Sequence, residues 1–349
     1  MGVIVNTWDG AASTDWSNAG NWSTEDDGSS ITDRIPLDGD NVIIPDTSSI
    51  NNCILTAGVS CGSLQIQNSA TFDMDGNALT LKAKNANNRV IDLGSSITVT
   101  WDGVLSFIPD AGSGTFKIYW HADETAGTVI FNKAGCTFEQ YGHLKATTLT
   151  VTAGTLDTGS DLGLTVTGDC LVGNGVGSAN TAILDGNASG ITLGSLAIDT
   201  DGKYDATTHA NGTIINNKRS DNYIINLDGN FVHNDGLVSI DTSVAGDKLL
   251  DLVSVSGGIY NLKVNEDGGG GIQYNGNTTI AGYLTMEEGA FAFYDSNNSE
   301  LTVTGDVSVE AGGSLGAANQ TDDYEFGSLT IADGGTFVAT SGTTTIAKE

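Results

Sequence analysis

Apolar and polar residues alternate along most of this chain, so that every second side chain is apolar. The pattern is clearest in LTVTAGTL from Leu149, LTVTGDCLV from Leu164 and LTVTGDVSV from Leu301. A period of two predicts β-strands with one buried face, and the bounding Gly-Asp and Ala-Gly pairs predict turns. The best helix candidate, GDKLLDLVSV from Gly246, ends in β-branched residues typical of a strand. We therefore expect an all-β protein.

One five-residue motif, G-S-L-x-I, occurs three times, beginning at Gly62, Gly194 and Gly327. The copies lie 132 and 133 residues apart, which indicates either an old duplication or a coincidence within a simple β pattern. An aromatic residue follows each copy after a short turn. We expect these side chains to point into the core: Leu64, Ile66, Phe72, Leu196, Ile198, Tyr204, Leu329, Ile331 and Phe337.

Successive predicted strands begin roughly 8–15 residues apart, which fits either tandem β-sandwiches or a β-solenoid. The solenoid is favoured because the repeat is short and loosely periodic, and because small residues fill the positions between the apolar ones. We expect some 12–15 coils of roughly 20–25 residues each. Tandem β-sandwich or jelly-roll domains remain the alternative.

The first 50 residues differ in composition from the rest. They contain Trp8, Trp16 and Trp22 and two of the three prolines. A solenoid needs a cap over its first coil, since that coil otherwise exposes an apolar end and unpaired strand edges. We therefore expect residues 1–50 to form a cap or attachment segment and residues 51–349 to form the solenoid, with a looped-out region near 102–146. An aromatic platform for sugars is the alternative role of the tryptophans.

The motif order W-x-G, D-W, N-W-S and P-x-x-G-D-x-V-x-I also lies in this first segment. It resembles the start of β-helical regions in large bacterial surface and secreted proteins and in structural proteins of tailed phages. The resemblance implies a right-handed parallel β-helix, covers about 40 of the 349 residues and carries no catalytic residue. The matching residues are Trp8, Gly10, Asp15, Trp16, Asn21, Trp22, Ser23, Pro36, Gly39, Asp40, Val42 and Ile44.

The amino-acid composition limits the classes of binding partner to be expected. The net charge of −30 comes from 43 acidic and 13 basic residues, so neither nucleic acid nor an anionic membrane surface is an expected partner. The acidic residues indicate a solubilising surface, or one suited to salty or Ca²⁺-containing surroundings. The N-terminus lacks the pattern of a signal peptide, and no window reaches 18 consecutive apolar residues, so no membrane span is expected.

The cysteines and the Asp-Gly turns are the candidates for metal or redox chemistry. The spacing of Cys53, Cys61, Cys136 and Cys170 gives little support for zinc, and we expect small buried hydrophobes, with a Cys53–Cys61 disulfide as the alternative. The segments DMDGN from Asp73 and DTDG from Asp199 resemble half of an EF-hand loop, but the glutamate required at position twelve is absent. No cofactor is expected, and Ca²⁺ binding would be weak.

Sequence gives little support for catalysis. The arginines Arg34, Arg89 and Arg219 are isolated, and the acidic charge would repel the polyuronate substrates of β-helical lyases. Two carboxylates on neighbouring coils could serve a hydrolase, a geometry that sequence does not reveal. We therefore expect no enzyme, with a polysaccharide-degrading β-helix as the least favoured class.

The expected function follows from a mismatch: the composition is typical of extracellular proteins, yet no export signal is visible. This favours a structural virion protein of a tailed phage, such as a head decoration, head fibre or tail component, located in the virion and forming a homotrimer. The alternative is an exported adhesin or carbohydrate-binding solenoid at the cell surface. The partners would be other virion or surface proteins, with a glycan as a further candidate. The predicted contact residues are Trp8, Trp16, Trp22 and, from the segment YWHADE, Trp120 and His121.

Overall fold

A computed structural model describes residues 4–26, 29–30, 32–46, 51–84, 89–121, 124–252, 258–293, 299–318 and 320–347. The chain forms two compact units, Met1–Gly163 and Leu164–Glu349. The described residues contain β-strands and one turn of 3₁₀ helix, Ala19–Asn21, but no α-helix.

The first unit is built from short strands that lengthen toward its end. They are β1 Ile4–Trp8, β2 Trp22–Asp26, β3 Ser29–Ser30, β4 Asn41–Ile44, β5 Cys53–Ile54, β6 Val59–Cys61, β7 Ser63–Ile66, β8 Thr71–Asp73, β9 Leu79–Leu81, β10 Arg89–Leu93, β11 Thr98–Thr100, β12 Val104–Phe107, β13 Gly114–Tyr119, β14 Thr125–Gln140 and β15 Leu144–Asp157.

The second unit has the same construction. Its strands are β16 Leu164–Val172, β17 Ala182–Asp185, β18 Ile191–Ile198, β19 Gly202–Asp205, β20 Thr213–Ile215, β21 Tyr223–Leu227, β22 Asn230–Val232, β23 Leu237–Thr242, β24 Lys248–Asp251, β25 Asn261–Glu266, β26 Ile272–Asn275, β27 Thr278–Ile280, β28 Leu284–Phe293, β29 Glu300–Val309, β30 Gly313–Leu315, β31 Asp323–Ile331, β32 Thr336–Phe337 and β33 Thr344–Ile346.

Strands pair in parallel with the equivalent strand of the next coil. In the first unit β4 pairs with β7 and β7 with β10; in the second β16 pairs with β18 and β18 with β20. From β4 onward, residues paired between neighbouring coils are 18 to 29 positions apart, as shown by Phe138 with Leu156 and Ile198 with Leu227. A sandwich would require antiparallel neighbours, so parallel pairing at one coil length confirms the β-solenoid.

The N-terminal segment pairs differently. Strand β1 runs antiparallel to β2, and β2 antiparallel to β3, while β1 also pairs in parallel with β4. Asp40 connects three parts of this segment through its side chain. Its Oδ2 accepts a hydrogen bond from Asn6 Nδ2 at 3.1 Å and lies 2.7 Å from Arg34 Nη1. Because β4 already belongs to the parallel ladder, the differing segment ends before Asn41 rather than at residue 50.

The predicted looped-out region near 102–146 is wrong. It contains β12, β13, β14 and the start of β15, all paired in parallel with strands of neighbouring coils. The rings of Phe107 and Phe131 stack 4.7 Å apart inside the unit, and Phe138 lies 4.9 Å from Phe131. Burial of these rings holds the segment within the solenoid.

The glycine of each G-S-L-x-I copy lies where the preceding coil comes too close for a side chain. A Cβ would lie 2.6 Å from Gly39 O at Gly62, and 2.4 Å from Gly168 O at Gly194. At Gly327 it would lie 2.3 Å from Thr304 O. The motif therefore marks a close approach of backbones between coils.

The predicted inward residues of the first two copies are buried: Leu64, Ile66, Phe72, Leu196, Ile198 and Tyr204. The third copy differs, since Ile331 is 46% exposed and Leu329 and Phe337 are only half-buried. Strand β31 lies in the last described coils, so these side chains have fewer neighbours to cover them. All four cysteines are buried with free thiols, as expected for small hydrophobes, and the alternative Cys53–Cys61 disulfide is not formed.

Candidate interaction surfaces

The tryptophans form an internal row in the first unit. Trp22 packs edge-on against both Trp8 and Trp16, with ring centroids 5.0 and 4.7 Å apart. The row continues from Trp16 through Phe72 to Trp101 and Trp120, with centroid separations of 6.3, 5.7 and 5.3 Å. Trp8, Trp16, Trp22 and Trp120 are at most 2% exposed.

This burial corrects the predicted role of the tryptophans. A ring that is almost wholly buried offers no surface to a partner or a sugar. Three indole N–H groups also bond within the unit: Trp8 donates to Asn51 O at 2.8 Å, Trp22 to Trp16 O at 2.8 Å and Trp120 to Glu124 O at 2.9 Å. His121 is exposed, whereas Ala122 and Asp123 of YWHADE lie outside the described residues.

Tyr119 is the outward-facing aromatic of YWHADE. Its ring stacks on that of Tyr141 in the next coil at 4.7 Å and 15°. The guanidinium of Arg89 lies 4.1 Å from the Tyr119 ring, and Lys117 Nζ lies 5.4 Å from that of Tyr141. A strand alternates faces, so Trp120 inside places Tyr119 outside. Tyr119 was not among the predicted contact residues, although the alternation of faces along the strand places it outside when Trp120 is inside.

Charged neighbours hold the stack in place. Arg89 Nη1 lies 2.6 Å from Asp92 Oδ2, and this hydrogen bond raises the pKa of Arg89. A hydrogen bond to Glu139 raises the pKa of the Tyr141 hydroxyl. Asp92 also lines a surface cavity of about 350 Å³ together with Asp46, Gln65, Gln67 and Asn68. The arrangement supplies hydrogen-bonding groups and two cation–π contacts at the surface.

The Asp-Gly segments form turns. Asp73 Oδ1 accepts from the backbone N–H of Asp75 at 2.9 Å, and Asp75 has a φ of 46°. Asp201, buried in the second unit, accepts from the N–H groups of Asn174 and Gly175, both at 2.9 Å. Across the described ranges no group of three or more His, Cys, Asp and Glu has an arrangement that could hold a metal. Weak Ca²⁺ binding stays a prediction.

A larger surface groove lies on the second unit, with a volume of about 580 Å³. We call it the coil groove and define it by Thr165, Thr192, Ile214, Asn216, Asp241 and Asp267. These side chains come from successive coils and are far apart in the sequence, so the sequence alone did not predict that they lie close together.

The terminal coil is the third surface. Among the described residues, β32 pairs only with β30, and β33 only with β31. Ile331 and Ile346 are 46% and 44% exposed. Apolar side chains beside strand edges with one partner are typical of a docking surface.

The fold defines the chain as a parallel β-solenoid protein. Comparison with protein-family models, curated proteins and solved structures gives no match. In the part of the chain that the structure describes, no helix has the length and apolar character needed to cross a membrane.

Proposed function

We propose that this protein is a non-enzymatic structural component of a tailed-phage virion, a head decoration, head fibre or tail component that acts through protein–protein contacts. The observation that carries the proposal is the terminal coil, where Ile331, the last residue of β31, and Ile346, in β33, are 46% and 44% exposed. Exposed aliphatic side chains of this kind are suited to docking on another protein or on copies of the chain.

The rest of the molecule supports a scaffold role. The recurring sequence motif is used for coil packing, and the tryptophan row lies inside the first unit. The net charge of −30 adds self-repulsion that limits uncontrolled association of a β-rich chain. An exported adhesin is the alternative, and neighbouring genes separate the two: capsid or portal genes support the virion, whereas an anchoring domain supports the adhesin.

The oligomeric state tests the docking surface. We expect light scattering on the purified chain to give a trimer, and the double variant Ile331→Asp/Ile346→Asp to give a monomer. Val176→Asp is the matched control, because Val176 is 77% exposed on a loop away from the terminal coil. A wild-type monomer at tens of micromolar, or a trimer that survives the double substitution, would contradict this use of the terminal coil. Release of reducing ends from polysaccharides would contradict the non-enzymatic role.

A further inference from the structure

The coil groove has a floor with a regular repeat. Thr165 pairs with Thr192 in the ladder, and Thr192 pairs with Ile214, so the three side chains follow one another coil by coil. Neighbouring coils lie about 4.8 Å apart. The groove therefore presents two hydroxyls and one aliphatic side chain at a constant spacing, in the direction in which the coils stack and perpendicular to the strands.

The wall of the groove is polar and acidic. Ile215 pairs with Ile240, which places the next residues, Asn216 and Asp241, side by side in neighbouring coils. Asn265 Nδ2 donates to Asp241 Oδ1 at 2.9 Å and orients that carboxylate. Asp267 adds a second acid, and neither lysine nor arginine lines the groove in the described part of the unit.

These groups select among ligand classes. Two carboxylates without a lining base disfavour an anionic ligand such as nucleic acid or a polyuronate. An added peptide strand is also disfavoured, because β18 and β20 each pair on both sides and leave no backbone edge free. Hydroxyl, amide and carboxylate groups beside an aliphatic side chain match the alternating polar and C–H surface of a sugar.

We propose that the coil groove binds a neutral polysaccharide that crosses the strands, in the direction in which the coils stack. Sugar hydroxyls bond to Thr165, Thr192, Asn216 and Asp241, while a C–H face of the sugar packs on Ile214. Each hydrogen bond contributes little net binding free energy, so binding requires contacts with several consecutive sugars. This site is independent of the terminal coil and goes beyond the proposed structural role.

Affinity electrophoresis of the full chain tests the proposal, with dextran, laminarin and galactomannan as neutral probes and polygalacturonate as the anionic one. We expect retardation by at least one neutral probe. Thr192→Trp fills the groove and should weaken that binding at least tenfold, as should Asn216→Ala, an exposed change that leaves the ladder intact. Thr302→Trp is the matched control, because Thr302 is a half-buried residue of β29 that pairs with Thr279 and Glu325, on a different row of strands from the groove. It should bind like the wild type.

Three results would overturn the proposal: no retardation by any neutral probe, equal retardation by polygalacturonate, or binding that survives in both groove variants. Melting curves of all variants establish that they are folded. A chain that stays monomeric but binds a neutral probe refutes only the proposed docking through the terminal coil. A chain that forms a trimer but binds no neutral probe refutes only the proposed polysaccharide site in the coil groove.

Discussion

Ser195 donates a hydrogen bond to Asp169 Oδ1 at 2.8 Å, from one coil to the coil before it. Ser328 makes the same bond to Asp306 at 2.7 Å. In both places the G-S of one coil faces the G-D of the preceding coil. At the first copy Ser63 donates to Asn41 Oδ1 at 2.8 Å. The recurring motif is therefore one half of a contact between coils.

The glycine of this contact should be intolerant of any side chain. At Gly194 a Cβ would lie 2.4 Å from Gly168 O, whereas at Gly190 the nearest atom would be 3.9 Å away. We expect Gly194→Ala to lower the free energy of unfolding by about 1–3 kcal/mol and Gly190→Ala to change it little. Denaturant unfolding measures both, and equal stability of the two variants would contradict the crowding.

The serine–aspartate bond should couple neighbouring coils measurably. Ser195 is buried, so its hydroxyl depends on this partner. A double-mutant cycle of Ser195→Ala and Asp169→Ala should give a coupling free energy of about 1 kcal/mol. Strictly additive effects would show that the bond contributes nothing to stability.

A buried ion pair in the second unit should be sensitive to loss of one partner. Lys248 Nζ lies 2.8 Å from Glu266 Oε1, with side chains 0% and 1% exposed. Lys248→Met leaves the Glu266 carboxylate buried without a cation, with the Gly268 N–H still donating to its Oε1 at 3.0 Å. We expect a loss of about 3–5 kcal/mol in the free energy of unfolding.

The partly exposed pair of Lys263 and Glu287, 2.9 Å apart with side chains 35% and 40% exposed, is the matched control. Lys263→Met should cost at most about 1 kcal/mol, because water screens that pair. The double variant Lys248→Met/Glu266→Leu should be more stable than Lys248→Met. If the two single substitutions cost the same, burial does not govern the pair.

The Cys170 thiol should make stability fall at high pH. Burial, assisted by the charge of Asp169, raises the pKa of Cys170 from 9.0 to about 12. Above pH 9 the unfolded thiol loses its proton while the folded thiol keeps it, so stability is full below pH 9 and falls between pH 9 and 12. The expected slope is about 1.4 kcal/mol per pH unit. Urea unfolding across this range should show a shallower fall for Cys170→Ala, and an unchanged slope would exclude Cys170 as the cause.

Local patterns predicted the alternating strands and much of the core. The turns predicted at Ala153-Gly154, Gly168-Asp169 and Gly305-Asp306 are wrong, because these pairs lie inside β15, β16 and β29. Leu64, Ile66, Leu196 and Ile198 are buried as the alternation predicted, because successive side chains of a strand point to opposite faces wherever the strand lies. The turns at Asp73 and Asp75 were also predictable, since their hydrogen bond spans only two residues.

The tertiary structure decided which residues of different coils meet. The row from Trp8 to Trp120, the bond from Ser195 to Asp169 and the coil groove all depend on the register between coils. Likewise the isoleucine of the G-S-L-x-I motif is buried in the second copy, at Ile198, but exposed in the third, at Ile331. Alternation along a strand fixes the direction of a side chain, but its neighbours depend on pairings 18 to 29 residues away, which no local pattern encodes.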